Sequence, residues 1–116
     1  MNELKIGAYR DRLMKRREVV ITTLRHLQKE HQGVDDNKEW IDHAAYESRV
    51  GLLTNLTDWY IKERGQIDDA LTRIEESTYG FCLACHKPIA FKRLEVAPTA
   101  AFCEPCQELR ECLAAA

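Results

Sequence analysis

The chain has 116 residues, 45% of them hydrophobic and 31% charged, with a formal net charge of -2. That length is one domain's worth of chain, and a near-neutral balance without a basic run argues against a duplex-binding protein, whose affinity comes mostly from neutralised phosphates. No apolar run approaches the ~20 residues needed to span a bilayer and no lipidation or targeting signal is present, so no membrane role is expected and a soluble, reducing, cytoplasmic setting fits.

From Asn2 to about Gln32 there is no proline and a single glycine, Gly7. Ile6, Leu13, Val20 and Leu27 fall seven apart, with Leu24 as an intermediate contact, and the residues between them are heavily charged. This pattern predicts a long amphipathic helix with a narrow seam for one partner helix. Arg10, Arg12, Lys15, Arg16 and Arg17 make it locally basic, which a solvated helix surface accounts for.

The run from Gln32 to Asn37 contains Gly33, Asp35, Asp36 and Asn37, turn and cap formers that should end the helix. A second helix is expected from near Trp40 to about Ser77, with Asp36 or Asn37 as N-cap and Glu39 in its positive first turn. Tyr46, Leu53, Tyr60, Ile67 and Ile74 again fall seven apart, and Leu56 and Ala70 stand three positions further on. Two such helices joined by a short polar loop predict an antiparallel coiled-coil hairpin, each arm about 45 to 55 Å long at ~1.5 Å per residue. Its loop then lies far from the C-terminal module. The loop is also acidic: residues 33–47 hold Asp35, Asp36, Glu39, Asp42 and Glu47 against Lys38 alone. A solubilising, helix-capping role would suffice for such a tip. The Asn55-Leu56-Thr57 sequon falls within the helical pattern and is read as chance.

Cys82-Leu83-Ala84-Cys85 is followed, after seventeen residues, by Cys103-Glu104-Pro105-Cys106. Two C-x2-C pairs at this separation match a structural zinc site, in which two knuckles turn four thiolates toward one tetrahedral metal. Two disulfides would need an oxidising compartment, which the charged start at Asn2-Glu3-Leu4-Lys5 argues against. Four sulfurs leave no open coordination position, so one structural zinc per chain is expected and not a catalytic one. His86 is then a solvent-facing neighbour, and Cys112 a free thiol outside the ligand set. Between the knuckles, Lys87 to Val96 alternates enough for a short β-ribbon, and Ala97-Pro98-Thr99 turns back. Cys103 to about Leu113 is helix-compatible, with Leu109 and Leu113 set to cover the metal module. The expected architecture is mainly α: a long antiparallel coiled-coil helical hairpin over 1–78 with its acidic tip near 33–45, then over 79–116 a small four-cysteine zinc finger and a short C-terminal helix.

The run Cys82-x2-Cys85-x3-Ile89-x3-Arg93-x4-Pro98-x4-Cys103-x2-Cys106 resembles the zinc finger signature of the DksA/TraR family of bacterial transcription factors. Those signatures carry a small acidic or hydroxyl residue after the first cysteine, where Leu83 stands here. The hairpin ahead of the finger is also similar to the family's, so the resemblance covers essentially the whole chain. It implies a protein that binds RNA polymerase without contacting DNA, inserting its hairpin in the secondary channel so that tip acids act near the catalytic centre and modulate initiation. The family's tip pattern D-x-x-D-x-A is similar to Glu39-Trp40-Ile41-Asp42-His43-Ala44: Asp42 and Ala44 match, and Glu39 keeps the charge one methylene further out. Arg93 is expected to brace the finger against the hairpin or to touch the polymerase rim. At the positions where some members help bind guanosine tetraphosphate this chain has Gln66, Ala97 and Gln107, none a cation, so weak or absent alarmone binding is expected. The reading is a monomeric, non-enzymatic regulator. Its rival is a zinc-finger interaction adaptor on the same scaffold without regulatory tip activity. Nucleic-acid binding by the finger is disfavoured, since from Tyr79 onward four basic residues meet four acidic ones. An enzyme is disfavoured because carboxylates on a protruding loop have no cleft to shift their pKa values.

Overall fold

The computed structural model describes residues 3–115; Met1 and Asn2, at the expected start of the first helix, lie outside the described residues. Four α-helices follow in order: α1 (Glu3–Asp36), α2 (His43–Glu75), α3 (Phe91–Val96) and α4 (Glu104–Ala115), with a 3-10 turn at Lys38–Trp40. Among the described residues there is no strand, only an isolated antiparallel bridge between Phe81 and Pro88. The mainly helical architecture expected from the heptads is therefore the observed one. Two compact units are distinguished, residues 15–65 and residues 3–14 with 66–115.

The unit of residues 15–65 is an antiparallel helix pair. Cross-helix partners descend along α2 as they rise along α1: Arg16 pairs with Glu63, Glu30 with Arg49 and Asp35 with Tyr46. Leu27, Val34 and Leu53 form its core, with Ile41, Tyr46, Val50 and Tyr60 packed against it. Each buried leucine contributes about 1.5–3 kcal/mol, enough to hold a helix whose own propensity is unexceptional. Val34 explains why α1 does not stop near Gln32. Its burial keeps one further turn helical despite Gly33, Asp35 and Asp36, and Asn37 then closes the helix by donating its side-chain Nδ2 to Gly33 O at 2.7 Å. The second helix accordingly starts later than expected. Asp36 ends α1 and Asn37 precedes the 3-10 turn, so Asp42 takes the N-cap position of α2, its carbonyl accepting from the Tyr46 amide at 2.8 Å. Leu56, expected at the seam, is 38% exposed.

In the other unit the buried side chains are Tyr9, Leu13, Ile67, Ala70, Arg73, Tyr79, Cys82, Ile89 and Leu94. The end of α2 is a Schellman motif: Thr78 N–H reaches Arg73 O at 2.9 Å and Ser77 N–H reaches Ile74 O at 3.2 Å, with Ser77 at φ 61. That left-handed residue turns the chain so that Tyr79 also donates to Arg73 O and enters the core. Two expectations fail here. The ribbon expected over 87–96 is replaced by α3, because Leu94 is fully buried and is reached by a helical turn from Ala90, not by alternation. Leu109 and Leu113 do not cover the metal module: only the first turn of α4, at Cys106 and Gln107, is half-buried, and both leucines are more than half exposed.

Candidate metal centre and acidic tip

The first knuckle is built by backbone hydrogen bonds. Ile89 N–H donates to Gly80 O at 2.8 Å and Cys82 N–H to Lys87 O at 2.8 Å, while Gly80 at φ 88 and His86 at φ 62 supply the left-handed residues that let so short a segment reverse. Within it His86 N–H reaches Cys82 O at 2.9 Å and Cys85 N–H points at Cys82 Sγ at 3.5 Å. The second knuckle runs into α4, where Gln107 N–H bonds to Cys103 O at 2.9 Å and Pro105 sits in the first turn, where its missing N–H costs nothing. Leu83 N–H donates to Ala101 O at 2.9 Å, tying one knuckle to the approach of the other.

Cys82, Cys85, Cys103 and Cys106 thereby bring their sulfurs within 4.8 Å of one another, with 3.6 Å between Cys85 and Cys103. A tetrahedral zinc at ~2.3 Å from each sulfur requires sulfurs about 3.8 Å apart, so the donor set fits the ion. Burial pushes the Cys82 thiol up, but the amides of Cys85, Cys103 and Ala84 together outweigh it and bring it down to about 6. Cys106 is pushed up to about 12, chiefly by its contacts with the Cys103 and Cys82 sulfurs. Four thiolates this close repel one another unless a cation joins them. Cys112 is exposed on α4 and His86 is exposed beside the knuckle; neither belongs to the cluster.

Around the knuckles lies a bracing layer of which the sequence analysis named only Arg93. Tyr79 OH donates to Pro98 O at 2.7 Å, Arg73 donates to Thr99 O at 3.3 Å, and Tyr9 OH donates to Glu95 at 2.8 Å. Arg93, half-buried, donates from Nε to Phe102 O at 3.0 Å, immediately before Cys103. Arg73 stands three residues after Ala70 on the seam side of α2, which is the one signal that could have marked it.

At the other candidate site, Glu39 lies in the 3-10 turn, Asp42 at the N-cap position of α2 and Ala44 in its first turn, all three exposed. Between them Ile41 packs against the Leu27, Val34 and Leu53 core and pins the turn. Trp40, read from the sequence only as a helix start, is 86% exposed beside the two acids. Tyr46 OH donates to Asp35 at 3.0 Å and Lys38 lies over the Tyr46 ring at 5.6 Å, so part of the acidity is engaged within the hairpin while Glu39 and Asp42 face outward.

The profile of the prokaryotic DksA/TraR C4-type zinc finger matches residues 77–112, which together with the sulfur cluster indicates zinc binding. The chain is 31% identical over 115 residues to the RNA polymerase-binding transcription factor DksA of Caulobacter vibrioides, covering 96% of this chain and 79% of that protein. It is 33% identical over 118 residues to the protein of the same name from Salmonella typhimurium, covering 96% and 74%. These relatives are named for polymerase binding and transcription, not for a catalysed reaction. Among solved structures, transcription factor DksA2 from Pseudomonas aeruginosa superposes with a TM-score of 0.85 at 24% identity, over 99% of this chain and 89% of that one, a likeness of fold.

Proposed function

Because this chain belongs to the DksA/TraR family of bacterial transcription factors, we propose that it is a zinc-containing regulator that binds bacterial RNA polymerase and inserts its hairpin in the enzyme's secondary channel to modulate initiation. The observation that carries this reading is the outward presentation of Glu39 and Asp42 on a turn pinned by Ile41. Acidity at this tip also exceeds what helix capping asks for. Asp35 and Asp36 stand in the last turn of α1, at the negative end of its dipole, where each carboxylate costs about 0.3–1 kcal/mol. Tyr46 and Gln32 donate to these two carboxylates and offset part of that cost, so the charge that faces outward to act beside metal ions and basic groups is that of Glu39 and Asp42.

In this reading residues 1–78 form the working hairpin and residues 79–116 a finger held by one structural zinc on Cys82, Cys85, Cys103 and Cys106. The metal supplies cross-linking, not chemistry. The protein acts as a cytoplasmic monomer, without direct DNA contact, and Arg93 braces the finger against the hairpin or touches the polymerase rim. With Gln66, Ala97 and Gln107 it binds guanosine tetraphosphate weakly or not at all. The substitution of Glu39 for the family's first tip aspartate favours one rival, an adaptor that docks without regulating.

The test is titration of purified bacterial RNA polymerase core enzyme with and without a known secondary-channel factor as competitor, followed by Asp42→Ala. Competitive, saturable binding, with Asp42→Ala abolishing the effect on transcription but not binding, is the expected result. Binding in which Asp42→Ala changes nothing means the adaptor, and no binding removes the polymerase reading and leaves an adaptor for another protein.

A further inference from the structure

In the unit that carries the metal centre, a cavity of about 600 Å³ opens beside the first knuckle, lined among others by Asp69, Arg73, Glu76, Phe81 and Leu83. Its walls combine exposed apolar surface with negative charge. Phe81 is 41% and Leu83 48% exposed, Asp69 lies on α2, and Glu76 lies just past its end. Among the described residues neither carboxylate forms an ion pair. The opposing charge is Arg73, 8% exposed, which donates to Thr99 O and stands one helical turn after Asp69, whose carboxylate it attracts; His86 also lines the wall.

Three of the aromatic rings of this unit have a cation over them; the buried Tyr79 and the exposed Phe81 do not. Lys5 lies 4.5 Å over Phe91, Arg110 lies 4.2 Å over Phe102 and Arg12 lies 6.0 Å from the Tyr9 ring. Phe81, nearly as exposed as Phe91, has no cation over it among the described residues. An uncovered ring and two carboxylates set against the single buried Arg73 around one cavity leave an excess of negative charge beside an apolar face, the complement of a guanidinium on an apolar stem.

We propose that this cavity is a docking site for an arginine-bearing apolar segment of a partner protein, the guanidinium meeting Phe81, Asp69 and Glu76 and the flanking apolar residues meeting Leu83. This inference does not rest on the polymerase reading, and its test does not use polymerase.

The zinc-loaded full chain is titrated with acetyl-Leu-Arg-Leu-amide and with the same peptide carrying citrulline, which keeps the shape and removes the charge, while backbone amide resonances are followed. Saturable shifts confined to the surroundings of Asp69, Glu76, Phe81 and Leu83 are expected at millimolar peptide. Citrulline should weaken binding about tenfold, and Glu76→Gln or Phe81→Leu about two- to fivefold each. Should Phe81→Leu disturb the adjacent knuckle, Glu76→Gln carries the comparison alone, being exposed and outside the core. Equal affinity for the citrulline peptide, shifts centred elsewhere, no shifts, or an undiminished arginine preference in Glu76→Gln would each overturn the proposal.

Discussion

Replacing Tyr79 with phenylalanine removes one oxygen and leaves the ring. That ring is 2% exposed, its centroid lies 5.9 Å from the Tyr9 ring, and its hydroxyl donates to Pro98 O at 2.7 Å. The bond contributes about 0.5–1.5 kcal/mol, and a carbonyl left without a partner costs about 1–3 kcal/mol more when water cannot reach it. Pro98 is half-buried, so water replaces part of the bond, and a loss of about 1–2 kcal/mol at neutral pH is expected. Burial, with the neighbouring Tyr9, pushes the Tyr79 hydroxyl from 10.0 up to about 12. Below pH 10 both folded and unfolded chains hold this proton, and its stabilising contribution is complete. Between about 10 and about 12 the unfolded chain has released it while the folded chain retains it, so stability falls as pH rises, by roughly 2–3 kcal/mol in all. Tyr79→Phe lacks that fall. Urea unfolding followed by circular dichroism, wild type against variant at each pH with zinc saturating, should show the variant less stable at neutrality and the curves converging in alkali until they meet or cross near pH 12. Equal stability at pH 7, or curves that stay parallel to pH 12, would refute this account of Tyr79.

Removing zinc with a chelator should collapse the dispersion of amide resonances in residues 79–113 while residues 15–65, which have their own core, keep theirs; coincident loss of both would contradict it. Arg93→Met removes the donor to Phe102 O beside Cys103 and should lower zinc affinity about tenfold or more in competition with a chromophoric chelator. Unchanged affinity would assign Arg93 to contacts with a partner alone. Ser77→Gly relieves a left-handed residue at φ 61 and should raise stability by about 1 kcal/mol in thermal unfolding, whereas a neutral or negative effect would mean that the serine side chain contributes a compensating contact.

Much of this molecule was legible in one dimension because its elements are periodic or ligand-defined. A seven-residue repeat states which face of a helix is apolar, and Leu13, Val20, Leu27, Leu53 and Ile67 are indeed buried. Two C-x2-C pairs at their spacing state that four sulfurs can meet, and they do, because each knuckle closes on itself through local hydrogen bonds. The acidic run of residues 33–47 was recognised by its place between two heptad patterns, and the resemblance to the family's tip pattern singled out Glu39 and Asp42 within it.

What periodicity does not state is where burial overrides local preference, or which neighbour a face meets. Gly33, Asp35 and Asp36 read as a stop, yet Val34 has a core to enter, and α1 continues through them. Residues 87–96 alternate as a strand would, but among the described residues their pairing stops at the isolated Phe81–Pro88 bridge, whereas Leu94 gains full burial from one turn of helix. Leu109 and Leu113 share a face with Cys106, yet among the described residues nothing covers it beyond the first turn of α4. The bonds from Tyr79, Arg73 and Arg93 to the carbonyls of Pro98, Thr99 and Phe102, and the cavity beside Phe81, join residues 9 to 26 positions apart, with at least one partner of each in irregular chain. No repeat encodes such pairs; they exist only once the metal-binding turns have brought two segments together.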